Sequence, residues 1–353
     1  MTTAAAGAAT RELTFSQAIN DALRLAMRRD PTVIVIGEDV AGAAGRQHLG
    51  LQDAWGGPLR ATRGLIGEFG PGRVLDTPIS EMAFVGAAVG AAMTGLRPVV
   101  EVMFVDLIGC CYDQVINQAA KMHYMMGGQI SLPMVLRTAY GTLQFKRSYG
   151  GGAAAQHSQT LYAVLAHVPG LKVVVPSTAY NAKGLMLAAI ADPNPVVVME
   201  HKFLGSAAKG QVPEGEYTLP IGRAEIVRRG TDVTLCGIGR MTHVCLEAAT
   251  KLAAEDGVEA EVVDVLTLQP LDEATILESV SRTHRLVVVD EDTPTCSVAR
   301  DIAARVADAG FDWLDAPIKT VTSADAPVPF AAVLENLYAP NAERVVAAVR
   351  ELV

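Results

Sequence analysis

One carboxylate stands at the mouth of an otherwise uncharged helical stretch, in Ser80-Glu81-Met82-Ala83-Phe84. No charge follows from Met82 to Leu96, and Ala83, Gly86, Ala87, Gly90 and Ala91 recur at helical spacing. This pattern predicts a buried helix whose small residues let another backbone come close. An acid at the positive end of such a helix is a candidate for proton chemistry, because burial and helix termini perturb carboxylates. The same position also fits a plain partner for the helix dipole. His157, in Ala153-Ala-Ala-Gln-His-Ser-Gln159, is a second candidate. It follows a Gly-rich loop at a predicted helix start, and a histidine there offers a near-neutral pKa for proton transfer. The alternative is a capping histidine. Glu38 and Asp39 end the apolar run Val33-Ile-Val-Ile36. Acids at the C-terminal ends of parallel strands lie where open α/β sheets bind ligands, although both residues also suit a turn.

These residues need a scaffold, and the apolar pattern supplies one. Thr14-Phe-Ser-Gln17 fits a capping box, and Ile19, Ala22, Leu23 and Ala26 form an apolar face that ends at Asp30-Pro31. Strands are predicted at 33–36, 74–77, 98–104, 134–137, 172–175 and 196–200. Helices are predicted between them at 80–94, 106–126, 157–168 and 179–191. Such alternation means a doubly wound parallel sheet. Long loops cover 41–64 and 138–156, a length that often marks function. Residues 1–13 read as a disordered tail, 14–202 as the first domain and 203–222 as a linker without period. From 223 to 353 the βα alternation resumes, giving a second, smaller α/β domain.

Composition narrows the function classes. The chain has 353 residues, half of them hydrophobic, with a net charge of −9 and a mean hydropathy of +0.27. Two domains are the default at this length, and so apolar a chain suggests surface covered by other subunits. No Lys/Arg cluster reaches the density of a nucleic-acid stripe. The 15 uncharged residues 82–96 fall short of a membrane span, and the start lacks a signal-peptide pattern. Cys110, Cys111, Cys236, Cys245 and Cys296 are odd in number and lack metal-ligand spacing, so they read as core residues in a reducing cytoplasm. Gly237-Ile-Gly239 lacks the third glycine of a dinucleotide fingerprint and reads as a tight turn. No Walker-type loop, nucleophile elbow or H-E-x-x-H occurs.

Several longer runs carry a resemblance. They are GED (37–39), DTPISEMAFVGAAVGAAMTGLRPVVE (76–101), DQVINQAAK (113–121), AAQHSQ (154–159), PGLKVVVPST (169–178), NPVVVMEHK (194–202) and DEDTPTCSVARDIA (290–303). Together they resemble the β subunit of thiamine-diphosphate-dependent 2-oxoacid dehydrogenases, the decarboxylating component of pyruvate, branched-chain 2-oxoacid and acetoin dehydrogenase complexes. The resemblance covers nearly the whole chain. It implies a transketolase-like fold, with a pyrimidine-binding domain followed by a C-terminal domain that contacts the lipoyl acyltransferase core.

The resemblance also assigns roles. In the family a separate α subunit holds the diphosphate and magnesium through a GDG motif, which this chain lacks, so an α2β2 assembly is implied. Glu81 matches the glutamate that hydrogen-bonds the pyrimidine ring nitrogen and so activates the cofactor. Glu38 matches a second acid near the ring, and Met103 a residue packed against it. His157 matches a histidine that donates a proton at the reaction centre or during acyl transfer to the lipoyl group. Met134, Ala189, Ile190, Asp192 and Asn194 match a structural potassium site built largely of carbonyls. The chain departs from the pattern at Asp106-Leu107, where an aromatic residue is usual, and in a long segment before His157 that carries Lys146 and Arg147. The runs around 37–45 and 101–121 resemble the acetoin branch more than the pyruvate branch. The readings left open are a branched-chain β subunit and a non-catalytic assembly protein of the same fold.

Overall fold

The computed structural model describes residues 9–42, 56–143 and 152–353. They form two compact units. The first holds the chain up to Tyr140 together with Val164–Ile221, and the second holds Gly141–Ala163 and Gly222–Val353.

In the first unit six strands run parallel: β1 (Val33–Gly37), β2 (Val74–Asp76), β3 (Arg97–Phe104), β4 (Val135–Tyr140), β5 (Lys172–Val174) and β6 (Val196–His201). Their order is β5-β6-β4-β3-β1-β2. β1, β4 and β6 are buried along their whole length, as expected of strands covered on both faces. The chain goes from β1 outward to β2, then crosses back over β1 to β3. The switch point therefore lies between β1 and β3, and in open α/β sheets ligands bind at the carboxyl ends beside that point.

Helix α1 (Phe15–Arg29) starts with the predicted capping box: Gln17 N–H donates to Thr14 Oγ1 at 3.2 Å and Thr14 N–H to Gln17 Oε1 at 2.9 Å. Helix α2 (Glu81–Met93) lies close to the predicted range, and α3 (Ala179–Ala191) coincides with it. The expected burial of α2 is corrected: only Glu81, Phe84, Val85, Ala88, Val89 and Ala92 are buried. Met82 is 59% exposed, and Ala83, Ala87 and Gly90 also face outward. One face packs on the sheet, and the small-residue face is left open.

Three further expectations change. The helix predicted over 106–126 is a 3-10 turn (Val105–Cys111), a π-helical turn (Gln114–Ala119) and one short α-turn (Met122–Met125). The backbone at Gly170 presses on Ala120, where a Cβ would meet the Ala120 carbonyl oxygen at 2.0 Å. Helix in 157–168 is confined to Tyr162–Ala166, because Ala154 takes a left-handed φ of 59° and the chain turns at 155–158. Thr10–Thr14, read as part of a tail, is a strand paired antiparallel with Lys209–Pro213. The stretch read as a linker thus belongs to the first unit as far as Ile221. Residues 1–8, the centre of the 41–64 loop, Lys146 and Arg147 lie outside the described residues.

The second unit has strands β7 (Glu225–Arg228), β8 (Val233–Gly237), β9 (Ala260–Asp264), β10 (Leu286–Val289) and β11 (Lys319–Val321). Their order is β11-β10-β8-β9-β7, parallel except for the edge strand β7. Helices α4 (Arg240–Glu255), α5 (Glu273–Thr283), α6 (Val298–Ala309), α7 (Ala332–Tyr338) and α8 (Ala342–Arg350) complete it. Val244, Ala248 and Leu252 of α4 and Val345, Val346 and Val349 of α8 share one core with β8–β11. Cys111, Cys236 and Cys245 are buried; Cys110 and Cys296 are exposed.

Candidate active site

The carboxyl ends of β1 and β3 carry the first candidates. Gly37 ends β1 in register with Glu101 on β3, and Glu38 follows it, partly buried. The ends of β1 and β2 are tied together: Thr77 N–H donates to Gly37 O at 3.0 Å, and Ala41 N–H to Asp76 Oδ1 at 2.6 Å. The short turn from β2 then delivers Glu81 as the first residue of α2, 8% exposed. Ser80 makes no side-chain cap. Several N–H groups of the first turn therefore lack a capping side chain, and the Glu81 carboxylate sits at that positive end.

The charge of Glu81 reaches Glu38. Burial pushes the Glu38 carboxyl above its ordinary range, and the charges of Glu81 and Asp39 push it further in the same direction. An acid whose proton affinity is raised by burial and by neighbouring carboxylates is a common feature of sites that move protons. Cys111 lies within reach of the same field: burial, then Glu81, raises its thiol to about 12. It is a packing residue and not a nucleophile.

Met103 is half-buried near the end of β3. The β3–β4 ladder pairs Val102 with Thr138 and Phe104 with Ala139, so Met103 is the extra residue of a bulge. Bulges re-aim side chains and are common beside active sites. α2 is seated against the π-helical turn through Gly86, where a Cβ would lie 2.9 Å from Gln114 Oε1.

Beneath this edge lies a group that sequence reasoning missed. Arg137 on β4 is fully buried and forks onto Glu200 of β6 with two bonds of 2.8 Å, while its Nη1 donates to Glu101 of β3. One guanidinium thus pairs with two carboxylates on three neighbouring strands. Glu101 Oε1 has no hydrogen-bond partner, and a Cβ on Gly57 would approach it to 2.9 Å. Charged residues inside otherwise apolar strand runs were the available signal. At the same edge Tyr140 and His201 meet edge to face at 4.9 Å. His201 Nδ1 accepts from Phe203 N–H at 3.1 Å, and Lys202 lies over the Phe104 ring at 5.1 Å.

His157 is carried by the second unit. It sits in a turn and not at a helix start, partly exposed, with its N–H on Ala154 O at 3.2 Å. The five residues matched to a potassium site come together where α3 ends and β4 and β6 begin. Arg97 Nη1 donates to Ile190 O at 2.8 Å and to Asp192 O at 3.4 Å. Val196 N–H donates to Met134 O at 3.0 Å. Asp192 Oδ1 accepts from the Asn194 backbone N–H and side-chain amide, at 2.9 and 3.1 Å. Lys172 Nζ also donates to Asp192 Oδ2, so two protein cations already lie on this set; its carbonyls keep second lone pairs of the kind a monovalent cation takes. No group of three or more His, Cys, Asp or Glu side chains gathers as a metal site among the described residues.

Comparison with known proteins adds the relatives. Residues 11–206 match the family described as transketolase, pyrimidine binding domain, and 222–345 match transketolase, C-terminal domain. The chain is 54% identical, over 97% of both chains, to the acetoin:2,6-dichlorophenolindophenol oxidoreductase subunit beta of Bacillus subtilis. It is 51% identical, again over 97% of both, to the protein of that name from Cupriavidus necator. To the pyruvate dehydrogenase E1 component subunit beta of Rhizobium meliloti it is 44% identical, over 98% of this chain and 71% of that one. Among solved structures it is similar in fold to a split gene transketolase in an inactive beta4 tetramer. The TM-score is 0.75 at 22% identity, covering 96% of this chain and 98% of that one.

Proposed function

The chain belongs to the family of 2-oxoacid and acetoin dehydrogenase β subunits, a transketolase pyrimidine-binding domain followed by a transketolase C-terminal domain, and on that premise we propose that it is the β subunit of an acetoin- or pyruvate-type decarboxylating component. The Glu81–Glu38 pair at the sheet's switch point carries this reading. The acetoin branch is favoured by identity, 54% and 51% against 44% for the pyruvate-type relative. A 2-oxoisovalerate dehydrogenase subunit beta, at 41%, supports the branched-chain alternative less. A non-catalytic assembly role is disfavoured by the presence of both Glu81 and His157.

A buried carboxylate beside a second acid fits the pyrimidine of thiamine diphosphate, a ring that needs one acceptor for its protonated nitrogen. When bound, the cofactor supplies a nucleophilic carbon and an electron sink. Glu81 would accept a hydrogen bond from the ring nitrogen when that nitrogen carries a proton. Glu38, whose carboxyl burial and the charges of Glu81 and Asp39 push above its ordinary range, would stand near the ring as a second polar group. Met103, re-aimed by the bulge, would pack its flexible thioether against the ring. His157 serves a later proton transfer. The α partner of an α2β2 assembly supplies the diphosphate and magnesium site. The open small-residue face of α2 is a surface for such a subunit, and the acyl group passes to a lipoyl domain docked on the C-terminal unit. The carbonyls around Ile190 and Asp192 would hold a potassium ion.

The test is co-expression with an α partner and an assay of acetoin- or 2-oxoacid-dependent dye reduction. The chain alone should be inactive and the pair active. Glu81→Gln should lose about 10²-fold or more, the usual weight of a positioned proton-transfer group. Full activity of that variant, or activity of the lone chain, overturns the reading.

A further inference from the structure

The second unit contains a cavity of about 250 Å³ that the proposed function does not use. Its polar wall comes from Asp292 and Thr293, just beyond β10, with Thr160 and Tyr338; Leu161 and Val328 give it an apolar side. Asp292 is 8% exposed, and its Oδ1 accepts from Thr293 N–H at 2.8 Å. Among the described residues nothing donates to its Oδ2, and no lysine, arginine or histidine pairs with it.

The neighbouring acids take neutral donors among the described residues. Asp290 takes the Tyr162 hydroxyl, Asp292 N–H at 2.9 Å and Ala299 N–H at 3.0 Å. Glu291 takes both Thr142 N–H and Thr142 Oγ1 at 2.7 Å. Among the described residues, Asp292 therefore faces the cavity beside two further acids and without a cation of its own. Burial, and then the charge of Asp290, pushes the Asp292 carboxyl up to about 8, the response of an acid that lacks a cation. Burial, and then the charges of Glu291 and Asp292, raise the Tyr338 hydroxyl to about 12, so it remains protonated.

We propose that this cavity binds a small primary ammonium ion, with the cation on Asp292 Oδ2, the hydroxyls of Thr160 and Thr293 as further acceptors, and a short alkyl body against Leu161 and Val328. A carboxylate and two hydroxyls match the three donors of an ammonium group, and the apolar wall separates an alkylammonium from a bare cation. The binding measured below needs neither the cofactor nor the α partner, so it is tested separately from the function proposed above.

The test uses the full-length chain and isothermal titration with n-propylammonium chloride at constant ionic strength. Saturable binding is expected, weakened about tenfold or more in Asp292→Asn, as for loss of a charged hydrogen-bond partner. Potassium and tetramethylammonium should bind more weakly than n-propylammonium. At pH 7, titrations in buffers of different ionisation heat should show proton release from the wild-type chain, because the cation drives Asp292 to its charged form. That readout stands even if Asp292→Asn folds poorly; Thr160→Val provides a milder variant, expected to weaken binding. Equal binding of potassium, undiminished binding by a folded Asp292→Asn, or binding without proton release overturns the proposal.

Discussion

Glu38 and Glu81 reach one site from different directions, one at the end of strand β1 and the other at the start of helix α2, and the charge of Glu81 adds to burial in holding the proton on Glu38. Removing the charge of Glu81 therefore changes how tightly Glu38 holds its proton.

The raised proton affinity of Glu38 has a stability cost whose sign follows from linkage. The folded chain binds the Glu38 proton more tightly than the unfolded chain, whose value is near 4.5. Stability is therefore lost as pH rises above that value through the raised one. Glu38→Gln should melt higher than the wild type at pH 7.5, by ~1–3 °C, with the difference vanishing near pH 4. In a Glu81→Gln background the gain should shrink, because one source of the shift is gone. Melting curves of the four variants across pH decide it, and a gain that grows toward low pH contradicts the coupling.

Arg137 carries the next prediction. Removing it leaves Glu101 and Glu200 buried without a counter-charge, so Arg137→Met should cost about 3–5 kcal/mol in denaturant unfolding. Replacing all three charged residues by apolar ones of similar volume should recover much of that loss. A single substitution costing under 1 kcal/mol would mean that water reaches the network.

Helix α2 separates stability from assembly. A Cβ at Gly90 meets nothing within 4 Å, so Gly90→Ala should stabilise the isolated chain by about 0.5–1 kcal/mol through helix propensity. If an α subunit covers that face, the same methyl should weaken co-purification with it. Gly86→Ala, facing Gln114, should gain less stability.

The capping box gives a simpler check. Thr14→Ala removes the acceptor for Gln17 N–H and should cost about 1 kcal/mol. Gln17→Ala should cost less, since it spares that bond.

Elements whose signal is local were legible. The parallel strands are continuous apolar runs, the box at Thr14 is four residues long, and helix α3 runs from Ala179 to Ala191 as its pattern implies. Glu81 could be found because it interrupts an uncharged run. Pairings that depend on register across strands could not be found. Arg137 meets Glu101 and Glu200 only because β3, β4 and β6 are neighbours, an adjacency that no spacing encodes. Thr10–Thr14 and Lys209–Pro213 are short, polar strands whose pairing joins positions about 200 residues apart, so neither looks like a strand by itself. The bulge at Met103 and the π-helical turn at Gln114–Ala119 are likewise tertiary outcomes.

The interleaving of the two units governs how the polypeptide can be cut. Residues 141–163 leave the first unit and supply the second with Thr142 for Glu291 and Tyr162 for Asp290. A fragment starting at Gly222 would therefore lack those two donors, and one ending at Tyr140 would lack both β6 and the strand that pairs with Thr10–Thr14. On the ribosome, the first unit cannot close its outer ribbon until Pro213 has been made, after the borrowed segment has already emerged. Exchange of halves between relatives would have to carry that segment along with the C-terminal part.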